Sequence, residues 1–180
     1  MSKRAIKKVA VLGSGVMGSR IACHFAGIGV QVLLLDIVPK DVAADATPIP
    51  IGAAERNKIV NDALTAAIKS NPSPVYHKDV IKKISTGNFE DNMKDIAGCD
   101  WVIEVVVERL DIKQKVFEQV EKYRKPGTLI TSNTSGIPIH MMAEGRSDDF
   151  KKHFCGTHFF NPPRYLRLLE IIPTPHTDPE

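Results

Sequence analysis

His158 and Glu170 stand twelve residues apart near the end of this 180-residue chain, and together they hold the parts of a proton acceptor. An imidazole takes up a proton near neutral pH. A carboxylate on one ring nitrogen fixes the tautomer, leaves the other nitrogen free to act as a base and stabilises the imidazolium that results. The same two residues can form a purely structural cross-strand pair, and the pattern alone leaves both readings open. A second group of residues has a different chemistry. Gly13-Ser14-Gly15-Val16-Met17-Gly18 follows an apolar run (Val9, Ala10, Val11, Leu12), and a second apolar run (Val32, Leu33, Leu34, Leu35) ends in Asp36. Gly13 allows a tight turn, Gly15 lets a pyrophosphate approach the backbone, and Gly18 lets a helix pack against the strand. Val16 and Met17 open that helix, whose N-terminus offers free N–H groups and partial positive charge to phosphates. Asp36 follows Gly18 by eighteen residues. There a carboxylate accepts hydrogen bonds from both hydroxyls of a ribose and repels a 2′-phosphate, which favours NAD over NADP. The plain alternative is a glycine-rich turn that only packs helix on strand.

The elements that must position these groups follow from hydrophobic patterning. Strands are expected at 8–12, 31–36, 84–86, 101–106, 128–131, 155–159 and 168–172. The central ones are apolar almost throughout, as when helices cover both faces. Helices are expected at 16–26, 53–69, 93–97, 111–123 and 139–143, the fourth opened by an Asp111-x-x-Gln114 capping signal. Alternating strands and helices imply a doubly wound parallel sheet. The stretch 39–51, with Pro39, Pro48 and Pro50, reads as an irregular excursion, and Glu55, Lys58, Asp62 and Lys69 read as a solvated face of the next helix. The last two strands are joined too closely for a helical crossover and should run antiparallel. With the hairpin centred near Arg164, partners have numbers summing to about 328, which sets His158 opposite Glu170. The expected fold is α/β: a Rossmann-type doubly wound, mostly parallel sheet with an antiparallel strand pair at its C-terminal end, over residues 1–173. Residues 174–180 read as the start of a linker. Active sites of open parallel sheets gather at the carboxyl ends of the strands. Asp36, Glu108, Ser132-Asn133-Thr134-Ser135 and His158 therefore share one rim.

Composition limits the function classes. Hydrophobic residues make up 43% and charged residues 25%, and the net charge of +3 is too balanced to argue for nucleic acid. It mildly favours an anionic cofactor or substrate. The longest apolar runs are strand-sized, far short of the ~20 residues of a membrane span. The basic start, Met1 to Lys8, runs straight into the first strand without the apolar stretch of a signal peptide. Cys23, Cys99 and Cys155 are scattered and odd in number. They suggest neither a disulfide framework nor a metal site, and they suit buried positions in a reducing cytoplasm.

Taken together, the glycine fingerprint with Asp36, Val107-Glu108-Arg109-Leu110, Ser132-Asn133-Thr134-Ser135, and Gly156-Thr157-His158-Phe159-Phe160-Asn161-Pro162 with Glu170 resemble the NAD-binding domain of L-3-hydroxyacyl-CoA dehydrogenases. The resemblance covers nearly the whole chain. Asn161-Pro162-Pro163-Arg164-Tyr165-Leu166 and the stretch from Ala143 to Phe150 are most similar to the large multifunctional fatty-acid oxidation proteins. The resemblance implies NAD-dependent oxidation of an L-3-hydroxyacyl-CoA to a 3-ketoacyl-CoA in fatty-acid β-oxidation. It makes His158 the catalytic base, Glu170 its charge partner, Ser135 a hydrogen-bond partner of the substrate's C3 oxygen and Asn161 a neighbour of the reacting groups. It places Glu108 and Lys113 beside the nicotinamide ribose, Asn133 among the cofactor residues and Asp36 on the adenosine ribose. Ser135 can instead only shape a turn, and Lys113 only decorate the first turn of a helix. Lys69 is the nearest candidate for the family's CoA-binding lysine. The resemblance further implies a C-terminal helical domain that completes the acyl pocket, a homo-oligomer at full length and, in the multifunctional members, a fused enoyl-CoA hydratase unit. The 180 residues alone should bind NAD with little or no turnover. Other readings are a non-catalytic, crystallin-like NAD-binding protein, or a related dehydrogenase acting on 3-hydroxybutyryl-CoA or a free hydroxy acid.

Overall fold

The structure, a computed structural model, describes residues 4–43 and 52–179. Most of the expected proline-rich excursion, at 44–51, lies outside the described residues. Seven strands form one sheet: β1 (Lys8–Leu12), β2 (Gln31–Asp36), β3 (Ile84–Asn88), β4 (Trp101–Glu104), β5 (Leu129–Asn133), β6 (Phe154–Phe159) and β7 (Leu169–Pro173). Their order is β3-β2-β1-β4-β5-β6-β7. All neighbours are parallel except β6 and β7. The chain runs outward from β1 to β3, then returns to β4 on the other side of β1. That reversal opens a crevice at the carboxyl ends of β1 and β4. The helices are α1 (Val16–Gly27), α2 (Lys40–Ala43), α3 (Ala53–Arg56), α4 (Lys58–Lys69), α5 (Phe89–Asn92), α6 (Leu110–Tyr123), α7 (Ile139–Met142) and α8 (Asp148–Lys152). No described helix is long and apolar enough to cross a membrane.

The apolar strands divide their side chains between two cores, as a two-residue period dictates. Val9, Val11, Val32 and Leu34 pack with Ile21 and Ala22 of α1 and with Val60 and Leu64 of α4. Ala10, Leu12, Leu33 and Leu35 face the other way, in the layer that holds Val116, Phe117 and Val120 of α6. Phe117, Phe150 and Phe154 meet there with ring centroids 5.2–5.6 Å apart. Where two helix layers cover the sheet, strands cannot show polar alternation.

Several boundaries differ from the sequence reading. The expected helix at 53–69 is interrupted at Asn57, whose Oδ1 accepts a 2.7 Å bond from Asn88 Nδ2 while Arg56 pairs with Glu90 and Asp91. Short 3₁₀ turns occupy Lys78–Lys83 and Met93–Gly98, the second at the site of an expected helix. β4 ends two residues early because the Glu104 carboxylate accepts the Val106 N–H and turns the chain off the sheet. The Asp111–Gln114 cap does not form. Helix α6 starts at Leu110, Asp111 pairs with Arg109, and Gln114 donates to the Met141 carbonyl. Residues 174–178 are tied back to the domain: Thr177 Oγ1 donates to the Phe154 carbonyl and the Asp178 N–H to that of Lys152.

Candidate active site

The carboxyl ends of the parallel strands gather the groups that the sequence singled out. At β1 the chain turns through Gly13, which holds φ +104°; a Cβ there would lie 2.6 Å from the Val105 carbonyl oxygen. A Cβ on Gly18 would lie 1.8 Å from the Gly13 oxygen, so α1 can approach the turn this closely only with glycine at position 18. Gly15 differs. Its Cβ would meet nothing within 4 Å, and the space opens on a cavity of about 820 Å³. No side chain caps α1 and its first turn carries no acid, so its leading N–H groups stay available to an anion.

That cavity runs along the rim past Val16, Met17, Asp36, Glu108 and Asn133. Asp36 ends β2, where its Oδ1 accepts the Ile37 N–H at 2.7 Å and its Oδ2 the Ser14 N–H at 2.6 Å. One carboxylate therefore terminates the strand and braces the glycine turn. Beyond it the wall is apolar, with Ile37, Phe89, Met93 and Val116, a surface suited to a flat purine. The open space over Gly15, the uncapped α1 and the acid at the β2 end fit an NAD molecule laid across the switch in strand order.

The proton-handling groups sit further along the rim. The β6–β7 register pairs His158 with Glu170, and their side chains meet at 2.7 Å between Nδ1 and Oε2. A carboxylate only accepts, so Nδ1 donates and Nε2 is left as the free acceptor. Nε2 faces Ser135 Oγ at 3.3 Å. The ring is 24% exposed, open enough to reach a ligand. Asn133 Oδ1 accepts the Phe159 N–H at 2.9 Å and locks the end of β5 to the end of β6. Asn161, just beyond, accepts at Oδ1 a 2.7 Å bond from Arg20 of α1.

Glu108 organises the loop between these groups. Its Oε1 accepts from the Thr134 hydroxyl and from the N–H groups of Ser135 and Gly136. Partial burial opposes its charge, but the Thr134 hydroxyl and the Lys113 ammonium prevail and hold its carboxyl below the usual range. Lys113 does not decorate an exposed turn: its side chain is fully buried, with Nζ 2.8 Å from Glu104 Oε1 and 3.4 Å from Glu108 Oε2, the latter on the cavity wall. Burial pushes the Glu104 carboxyl up against the pull of that ammonium.

Glu104 and Arg20 are the two residues that sequence reasoning missed. An acid closing the apolar strand Trp101-Val102-Ile103-Glu104 is the signal that could have exposed the first. Arg20 carries no signal, because its partner is 141 residues away. Lys69 is exposed at the end of α4, and Lys58 and Asp62 form an exposed ion pair 2.5 Å long, a solvated face as expected. The thiols of Cys23 and Cys99 are buried and pushed up to about 11, which leaves them protonated and inert.

Fold and rim together define a Rossmann-type nucleotide-binding domain with a histidine–carboxylate pair at its edge. Residues 8–180 match the family described as "3-hydroxyacyl-CoA dehydrogenase, NAD binding domain". The chain belongs to that family, and its cofactor is NAD. It is 51% identical over 178 residues to a probable 3-hydroxyacyl-CoA dehydrogenase of Bacillus subtilis, covering 97% of this chain and 23% of that protein. It is 46% identical over 175 residues to a probable 3-hydroxyacyl-CoA dehydrogenase of Deinococcus radiodurans, covering 97% of this chain and 47% of the other. The chain thus spans about a quarter of the length of the first relative and about half of the second. The crystal structure of (S)-3-hydroxybutyryl-CoA dehydrogenase from Ralstonia eutropha superposes with a TM-score of 0.71 at 27% identity, covering 97% of this chain and 56% of that one.

Proposed function

We propose that this chain is the NAD-binding part of an enzyme that oxidises L-3-hydroxyacyl-CoA to 3-ketoacyl-CoA in cytoplasmic fatty-acid β-oxidation. The observation that carries the reading is the His158 ring, held at 2.7 Å by Glu170 with its free nitrogen 3.3 Å from Ser135, whose N–H donates to Glu108 on the wall of the nucleotide cavity. NAD, when bound, supplies the two-electron acceptor. The chain's own residues handle the proton. Nε2 of His158 takes it from the C3 hydroxyl, and Glu170 stabilises the imidazolium through Nδ1. Ser135 hydrogen-bonds the C3 oxygen. Arg20 occupies Asn161 Oδ1, so the Asn161 amide nitrogen is the group left to donate beside the reacting atoms. Glu108 and Asn133 line the nicotinamide end, and Asp36 the adenosine ribose. A helical domain completing the acyl pocket, a homo-oligomer and, in a multifunctional form, a fused hydratase unit belong to the same reading.

A short-chain substrate such as 3-hydroxybutyryl-CoA is the second reading, favoured by the likeness to the Ralstonia enzyme. A non-catalytic role is disfavoured, because an NAD holder has no use for a base aligned with both a carboxylate and a hydroxyl. The test is His158→Ala in the full-length protein, assayed with acetoacetyl-CoA and NADH. Turnover should fall by roughly 10²–10⁴-fold while NADH affinity stays nearly intact. Equal loss of both would make His158 a folding residue.

A further inference from the structure

We infer that Glu104 and Lys113 are positioning residues: a buried ion pair that sets the place of Ser135 beside His158 by acting through Glu108. The inference rests on the dehydrogenase reading above and names what holds its reacting loop. Both side chains are fully buried. Glu104 at the end of β4 is saturated by Lys113 Nζ at 2.8 and 3.0 Å, by the Ser132 hydroxyl and by the Val106 N–H at 2.7 Å. Among the described residues Lys113 has one further ionic partner, Glu108, whose side chain is 44% exposed on the rim. Glu108 in turn collects Thr134, Ser135 and Gly136, and Ser135 touches the imidazole. The line runs unbroken from the floor of the sheet to the proton acceptor, through four separate chain segments.

Stability does not account for this arrangement. A buried ion pair is often no more stabilising than an apolar pair of similar volume. Lys113 also stands in the first turn of α6, the end at which the helix dipole disfavours a cation. A charge set against both local preferences indicates a requirement elsewhere in the fold. The ammonium keeps two carboxylates on one side of it and so permits Glu108 to remain ionised and turned inward. Without the cation, Glu108 loses the ammonium that turns it inward, whether or not residue 104 carries a charge. It swings to water, and the 134–136 loop loses its common acceptor.

The experiment uses the full-length protein with Glu104→Gln and Lys113→Met together, which keeps volume and removes both buried charges. Lys113→Met alone is the harsher companion, since it strands a buried carboxylate and lowers the melting temperature. For the double variant, kcat with acetoacetyl-CoA should fall by about 10- to 10²-fold, the scale of a small misplacement near reacting atoms. NADH affinity should fall less than kcat, because only the nicotinamide-end contact of Glu108 moves while the sites at Gly15 and Asp36 stay in place. The NMR pH titration of the His158 ring should move from the wild-type curve, because Ser135 no longer sits on Nε2. Wild-type kcat in the double variant overturns the inference, and so do parallel losses of kcat, NADH affinity and melting temperature. If the wild type itself turns over no 3-hydroxyacyl-CoA, the dehydrogenase reading fails separately. The ring titration then decides alone: a displaced curve supports the positioning role and coincident curves overturn it.

Discussion

Asn161 illustrates how much a single contact fixes. A guanidinium donates and never accepts, so the 2.7 Å bond from Arg20 determines which end of the Asn161 amide points away. Asn161→Asp keeps the tie as an ion pair and removes the free donor. Its kcat should fall by up to roughly 10²-fold, the order seen on losing one positioned donor, with little change in melting temperature. Arg20→Leu frees the amide and should lower kcat less; an equal effect of both would show that the tie, not the donor, matters. At this scale the sequence was legible where spacing and residue type suffice. His158 and Glu170 could be paired because a short hairpin leaves few registers. Asp36 could be assigned as the acid ending β2, but not as the acceptor that braces Ser14. The burial of Lys113 was not legible, because nothing local announces a buried partner nine residues earlier.

Among the elements, the β1–α1 junction gives the sharpest contrast. Gly15→Ala and Gly18→Ala add the same methyl group with opposite structural cost. At Gly15 the backbone is at φ −55° and the added carbon meets nothing, so melting temperature should hold. NADH binding should weaken, because the methyl fills the space offered to the pyrophosphate. At Gly18 the carbon would overlap the Gly13 carbonyl, so α1 must shift and both stability and NADH binding should fall. Calorimetric unfolding and NADH titration of the two variants check this; unimpaired binding in Gly15→Ala would refute the assigned path of the pyrophosphate. Strand positions and the antiparallel pair were readable, since apolar runs buried on both faces leave few alternatives. Boundaries were not. The early end of β4 is set by the Glu104 side chain and the break at Asn57 by Asn88, contacts that no periodicity encodes.

For the whole molecule, Asp100 and Asp149 are two of the carboxylates that shape its response to acid. Asp100 accepts the N–H groups of Lys7 and Lys8 at 2.8 and 3.0 Å and ties the start of β1 to β4. The Lys7 N–H is the main cause that holds its carboxyl below the ordinary value. Asp149 clamps Arg124; partial burial opposes its ionisation, but that bond prevails and holds it low as well. A depressed folded value means that these bonds contribute fully above the unfolded carboxylate's titration, about pH 4, and are lost as pH falls through the folded value. Melting temperature should therefore drop below about pH 4, and Asp100→Asn should flatten that drop while lowering stability at pH 7. An unchanged acid limb would remove Asp100 from the account. β7 presents a different liability. Ile171 is 66% and Ile172 40% exposed on the strand that ends the sheet. The 180-residue chain should self-associate there, and Ile171→Lys should reduce its sedimentation coefficient at high concentration without affecting NADH binding.

The antiparallel final hairpin also has a temporal meaning. Ribosomal synthesis delivers the strands in chain order, so β1, β2 and β4 can assemble the nucleotide crevice while the segment bearing Glu170 is still unmade. The Gly13–Gly18 turn and Asp36 are thus made before the histidine–carboxylate pair, so on the proposed roles this chain acquires its cofactor contacts ahead of its base.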